Sequence, residues 1–409
     1  MTSDVNATLL SECPANVSAA AGDGVLNVRV FSVVFLYKVL LGSLPYVGPA
    51  FDTAQEDIAR LYPKLNLTME FLRSYPDYQT CPEWTMESDN AIAAYYYDKM
   101  TTGNSDVTLF LLPGCNDVIG VAQFATQLDK LIISSVSSAG NIRDRDVWPT
   151  WITTTILSMS TYRYAYEKIL DLYDWRDFVI VSDVRSNSFY PLFASYMYKF
   201  FSASAKYQVY NFEIDNTIMG GVEYANLLHN ISTLSRGFLT FRDGDGDDYR
   251  WSPAEQGKEK LAKETFKSVL MVETEPYSAS ENNVEELVRF WKKQSRDVYN
   301  FTYPVNETQN PHVLSTYQAM LIMAEVLDDL HQSSEQNKWQ SGVRLAKQFL
   351  NRTFALRTGN VTIGESGERI PTMVVTQTDV ESNIVIRQDS RISPFLVASR
   401  GKKIIMEDK

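Results

Sequence analysis

Between residues 28 and 273 short apolar runs alternate with stretches of helical spacing, and that rhythm admits few folds. A buried strand followed by an amphipathic helix, repeated, builds a parallel sheet flanked by helices. Strands are expected over 28–36, 66–72, 106–112 and 131–136, with helices over 48–63, 89–100 and 117–128 between them. In the first of these helices Phe51, Ala54, Ile58 and Leu61 recur at the intervals that place side chains on one helical face. After Trp148 the rhythm starts again, with helices over 161–173, 189–202, 222–234 and 254–266 and strands over 177–181, 207–212, 237–240 and 269–273. Two such sets in succession predict an α/β protein of two doubly wound parallel-sheet lobes, and 409 residues are too many for one ordinary core. Helices over 284–293, 313–330 and 341–350 and strand-like runs near Met373, Ile384 and Phe395 follow, without revealing which lobe each joins.

Composition removes several function classes. A net charge of −12 offers no basic surface for a nucleic-acid backbone. The three cysteines, Cys13, Cys81 and Cys115, form no CxxC pair, and His229, His312 and His331 are scattered, so a zinc site has no ligand spacing to rest on. Residues 241–255, FRDGDGDDYRWSPAE, imitate a calcium loop through Asp243, Asp245 and Asp247. Asp248 stands where the turn requires glycine and Ala254 where the bidentate glutamate belongs, so this reads as a solvated acidic loop. No G-x-S-x-G elbow, P-loop or strand-borne G-x-G-x-x-G occurs, which argues against an enzyme.

Eight Asn-X-Ser/Thr sequons, at Asn6, Asn16, Asn66, Asn230, Asn300, Asn306, Asn351 and Asn360, exceed the about three or four expected by chance. They point to folding in the secretory pathway, hence to a secreted protein or the extracellular face of a plasma membrane. The apolar run over 28–44 is broken by Arg29 and Lys38 and closed by Pro45, and no run of about 18 apolar residues occurs elsewhere. Membrane attachment is therefore expected only through a segment outside these residues.

Several segments, in order, resemble the extracellular ligand-binding region of the natriuretic-peptide-receptor type found on receptor guanylyl cyclases. VGPAFDTAQEDI resembles that family's first helix. LLPGCNDVIGVAQFATQLDKLIISSVSS resembles its Gly-Pro-Gly-Cys turn, helix and next strand, with Leu112 for the first glycine. VWPTWITTT resembles its first crossover between lobes, and DLYDWRDFVIVSD the opening of its second lobe. LSTYQAMLIMAEVL resembles its Tyr-Asp-Ala helix with Gln318 for the aspartate. FLNRTFALRTGNVTIGESGERIP resembles its Asn-X-Thr-Phe segment, with Glu368 for a later aspartate. The resemblance covers about residues 25 to 400. It implies the type I periplasmic-binding-protein fold, without catalysis of its own. A leader over 1–24, a first lobe over about 25–150 plus 276–345, a second over about 151–275 plus 346–400, and a tail over 401–409 are expected.

The resemblance also implies site residues. In the family the cysteines corresponding to Cys81 and Cys115 are paired; such a bridge would add about 3–4 kcal/mol, and two free thiols are the alternative. Cys13 is left over. The family further implies a chloride at the Gly114–Cys115 turn with Ser74 assisting, a helix N-terminus capped by water being the alternative. No other cofactor is expected. A ligand would lie between lobes at the carboxyl ends of strands, near Ser135, Ser137 and Ser138 on one side and Asp183, Arg185, Ser186, Asn187 and Tyr190 on the other. Those hydroxyls suit a small polar ligand, or they are turn and cap residues. Tyr95, Tyr96 and Tyr97 fan about 100° apart on a helix, so at least one ring should be exposed. Such a ring would suit a homodimer surface. The expected role is sensing a peptide or small ligand by lobe closure or dimer rearrangement; the competing reading is a soluble solute-binding or decoy module with no output domain.

Overall fold

A computed structural model of the chain describes residues 24–34, 42–72, 81–99, 106–113, 119–135, 140–185, 189–215, 217, 224–235, 238–241, 270–274, 282–303, 311–333, 336–379, 384–389 and 396–397. Residues 1–23 of the leader, the tail, residues 242–255 of the acidic loop and the helix expected over 254–266 lie outside the described residues.

Five strands form the first sheet: β1 (Leu26–Val33), β2 (Leu65–Leu72), β3 (Val107–Leu112), β4 (Ile132–Ser134) and β5 (Trp151–Thr153), in the order β2-β1-β3-β4-β5. All neighbours are parallel. Parallel strands covered on both faces read as near-continuous apolar runs, which is why LNVRVFSV and VTLFLL were recognisable. Helices α1 (Leu44–Leu61), α2 (Cys81–Lys99) and α3 (Ile119–Gln127) connect them. β5 was read only as part of a crossover; it completes the sheet instead, with Trp151 and Ile152 fully buried, before the chain leaves through Thr154. α2 begins eight residues before the expected Asp89, at Cys81-Pro82, because proline fits a first helical turn where no intrahelical N–H is needed.

The second lobe repeats the plan on a smaller scale. β6 (Asp177–Asp183) runs parallel between β7 (Gln208–Ile214) and β8 (Phe238–Phe241). Helices α4 (Met159–Leu172) and α5 (Phe189–Ser202) share an aromatic core with one face, and α6 (Tyr224–Leu234) covers the other. β9 (Leu270–Thr274) departs from the expected rhythm, because it pairs antiparallel with a strand from the end of the chain. With β12 (Met373–Asp379), β13 (Ile384–Asp389) and β14 (Leu396–Val397) it forms a sheet ordered β14-β13-β12-β9. α4 touches both β9 and β12 and so ties this sheet to the second lobe.

The late helices join the first lobe. α7 (Asn282–Tyr299), α8 (Pro311–Gln332), α9 (Gln336–Trp339) and α10 (Gly342–Lys347) contribute to the core on one face of the first sheet. α8 is apolar nearly all round because it is enclosed by the sheet and α1 on one side and by the hairpin of β10 (Arg352–Leu356) and β11 (Gly359–Ile363) on the other. Phe349, Phe354, Val361 and Ile363 belong to this same core, so the chain packs with the first lobe as far as Ile363 and not only to 345. Gly342 allows the close approach of α10, since a Cβ there would lie 2.3 Å from the Lys130 carbonyl carbon.

α1 carries Pro49 in its interior, which removes the N–H that the Pro45 carbonyl would otherwise receive. The buried Ser295 hydroxyl, 2.5 Å away on α7, donates to that carbonyl instead. Nearby, Asp52 accepts from the Tyr299 hydroxyl at 3.3 Å, and burial, with Glu56 adding, holds its pKa up at about 6 from 3.8. A proton bound more tightly in the folded than in the unfolded chain means stability falls as pH rises from about 4 through 6. Asp52→Asn should therefore raise stability above pH 6 and flatten that part of the profile relative to the parent, as urea unfolding of both proteins across this range would measure.

Candidate functional site: the seam between the lobes

The connection between the lobes is built on polar groups buried out of water, which must therefore satisfy one another. Where β5 ends, the Thr153 N–H donates to the Gly367 carbonyl at 2.8 Å and the Arg369 N–H returns a bond to Thr153 at 3.0 Å. The segment around Glu368 is thereby laid alongside the crossover as an isolated parallel bridge. Thr154 continues the seam, its N–H donating to Ser134 and its hydroxyl to the Ser315 carbonyl at 2.8 Å. The Arg369 guanidinium donates to the Gln318 side chain at 2.7 Å, and Gln318 in turn donates to the Thr358 hydroxyl at 3.0 Å. Gln318 thus occupies the centre of the seam, fully buried on α8.

Two further clusters complete it. The Thr316 hydroxyl donates to the His312 carbonyl one turn earlier, so in its 2.7 Å bond with Ser135 the serine hydroxyl is the donor. His312 Nδ1 lies 3.2 Å from the Ser135 carbonyl, which only accepts, so that nitrogen carries a proton. Burial pushes the His312 pKa below its ordinary value and the ring is neutral near pH 7. On the other side of the crossover, Arg143 and Glu368 form an ion pair with side chains only 9% and 2% exposed. The Arg143 guanidinium also lies 5.4 Å from the ring centre of Tyr196 on α5, which brings a first-lobe side chain against a second-lobe helix. Arg145 donates to the carbonyls of Trp148, Pro149 and Trp151 ahead of the crossing, and burial draws its pKa down to about 10.

The residues expected to face a ligand fall on both sides of this seam. Ser135 follows β4 and is already engaged with Thr316 and His312. Asp183 ends β6 and accepts the Arg185 N–H at 3.0 Å, a local turn that orients the loop. Arg185 pairs with Asp215 at 3.1 Å, and Tyr190 packs half-buried against the second core. Ser137, Ser138, Ser186 and Asn187 lie outside the described residues, as do Ser74, Gly114 and Cys115. Cys81 opens α2, but its side chain is not among those described.

The tyrosine run behaves as helical geometry demands. Tyr95 turns inward, its hydroxyl donating to Glu70 and its ring 4.7 Å from Phe31. Tyr96 lies between Tyr97 and Phe124, and Tyr97 is 75% exposed. Of the eight sequons, Asn66, Asn230, Asn300, Asn351 and Asn360 are described, and all five side chains are exposed. Among the described residues no cluster of His, Cys, Asp and Glu could hold a metal, and no helix is long and apolar enough to cross a membrane.

Sequence reasoning missed Arg143, Arg145, His312, Thr316 and Arg369. The available signal was Gln318, an uncharged polar residue amid LSTYQAMLIMAEVL, where an unpaired amide would be costly to bury.

Two parallel-sheet lobes joined by buried crossings define a type I periplasmic-binding-protein fold. Residues 243–381, about a third of the chain, match the family described as "Receptor family ligand binding region". Among solved structures the chain is similar in fold to a leucine-binding protein, LivK, from Thermotoga maritima MSB8, with a TM-score of 0.50 and 13% sequence identity over 89% of this chain and 97% of that one. No curated protein sequence matches the chain. The matched family description names ligand binding, and the solved structure is that of a leucine-binding protein.

Proposed function

We propose that this chain is the extracellular ligand-sensing region of a receptor of the natriuretic-peptide, receptor guanylyl cyclase type. In this reading it binds a peptide or a small polar ligand and signals by lobe closure or by rearrangement of a homodimer. The observation that carries it is the seam: two lobes, each with its own core, meet at crossings held, among the described residues, by buried hydrogen bonds that include those of Thr153, Thr154 and Arg369. A hinge of this kind lets a ligand choose between arrangements, and only through its differing affinity for them. Five exposed sequon asparagines support an extracellular setting. A paired Cys81–Cys115 bridge, a chloride beside it and a dimer contact through Tyr97 belong to the same proposal.

The test is a thermal-shift screen of secreted protein against peptides and against amino acids and other small polar metabolites. A cleft ligand at a hundred times its Kd should stabilise by about 2.7 kcal/mol and raise the melting temperature accordingly. No shift from either class, together with turnover of any substrate by the purified protein, would overturn the reading.

A further inference from the structure

β2 forms an outer edge of the first sheet, and among the described residues it pairs only with β1. Its register with β1 runs unbroken through eight residue pairs, so no bulge twists it away. Leu67, Met69 and Phe71 pack against the first core. A long, regular edge with apolar residues is a template for pairing with another chain. Natural edges are guarded by proline, lysine, bulges or short length, and LNLTMEFL has none of these. Its one charge, Glu70, is turned onto Arg29 of β1 at 3.4 Å and onto Tyr95.

What β2 does carry is Asn66-Leu67-Thr68, a sequon whose asparagine and threonine are both exposed. We propose that Asn66 bears an N-linked glycan that covers the open edge of the first sheet and prevents edge-to-edge pairing. The proposal rests on the extracellular reading above. In the modifying step a C–N bond forms between Asn66 Nδ2 and the reducing-end sugar of a lipid-diphosphate-linked oligosaccharide. The lipid diphosphate leaves and Nδ2 gives up one proton.

The local geometry accommodates that product. Asn66 Nδ2 donates to Asn27 Oδ1 at 2.9 Å, and Asn27 is itself held by Asp106 through its N–H at 2.9 Å and its amide at 3.2 Å. Glycosylation replaces one of two Nδ2 hydrogens and leaves the other for Asn27, so the sugar grows from an anchored side chain. Asn27, Asn66 and Asp106 stand at the amino ends of β1, β2 and β3, opposite the carboxyl ends where a cleft ligand would sit. A glycan there shields the edge without obstructing the cleft.

The experiment compares secreted wild-type protein with Asn66→Gln, Thr68→Ala and Thr68→Ser. Occupancy is mapped by releasing N-glycans enzymatically in heavy-oxygen water, and association is followed by light scattering during prolonged warm incubation. Asn66 should be occupied in wild type and in Thr68→Ser, which keeps a sequon. Asn66→Gln and Thr68→Ala should form larger species several-fold faster, the second of these with the Asn66–Asn27 bond intact. If those two variants are not secreted, trimming the glycans from folded wild-type protein supplies the same readout. A bare Asn66 beside occupied sequons overturns the proposal, as does unchanged association after loss of the glycan. Bare asparagines at all eight sequons overturn it together with the extracellular reading.

Discussion

Glu368→Leu should lower stability by about 3–5 kcal/mol, because it strands the Arg143 guanidinium where its side chain is only 9% exposed. A buried charge without its partner retains the cost of leaving water and loses the attraction that offset it. Arg143→Met should cost a similar amount by stranding the carboxylate. The double replacement Arg143→Met with Glu368→Leu should cost much less than the sum, since two apolar side chains need no compensation. Denaturant unfolding of the four proteins of this cycle measures the coupling. Additive losses would mean that the two groups do not share a site, and the account of the seam would fail with them. Arg143→Lys is a sharper probe, because lysine keeps the charge but not the planar fork that reaches Glu368 while facing Tyr196.

Trp291→Ala on α7 should cost about 3–5 kcal/mol, the usual range for removing a large buried aromatic side chain. Trp291 is 2% exposed and lies with its ring centre 5.5 Å from that of Tyr317. Its indole N–H donates to Thr53 at 3.0 Å, and the Thr53 hydroxyl donates in turn to the Pro49 carbonyl. Tyr317 donates to Asp57 at 2.6 Å, and Arg357 donates to both. The cavity would thus open beside a buried polar group as well as among apolar ones. Trp291→Phe should recover most of the loss, leaving the deficit of one hydrogen bond, about 1 kcal/mol. Equal losses for both variants in urea unfolding would show that the indole N–H, and not the packing, dominates.

The fold was legible wherever burial was continuous. β1, β3 and β6 lie inside parallel sheets and read as apolar runs, and α1 shows its buried face at three- and four-residue intervals. β5 escaped because only three residues pair, immediately after Pro149 and ahead of a run of threonines. The hairpin of β10 and β11 escaped because Thr353, Ala355 and Asn360 are exposed and leave few apolar positions to mark a strand. Thr353 and Thr362, the hydroxyl residues of two sequons, face one another across it at 2.9 Å. The seam was the least legible part. Ser135 and Thr316 are 181 residues apart, as far as local pattern is concerned unrelated, and Arg143 and Glu368 are 225 apart. Their partnership is made by tertiary folding, and beforehand only Gln318 and Glu368 stood out, as departures from the family pattern. The cleft serines, by contrast, were visible as a cluster, and the one that is described is already bonded within the protein.

The first lobe is discontinuous along the chain, and this has a consequence for its synthesis. Val30, Leu109, Ile133 and Ile152 are buried in the same core as α8, whose residues emerge from the ribosome only after the whole parallel sheet of the second lobe. Until Pro311–Gln332 has been translated, one face of the earliest sheet is covered only in part, by α1, and the rest must be shielded by chaperones or by transient collapse. The second lobe waits longer still for β12, about a hundred residues beyond its partner β9. Truncation late in the gene would therefore cripple the opening half of the protein as severely as the closing half.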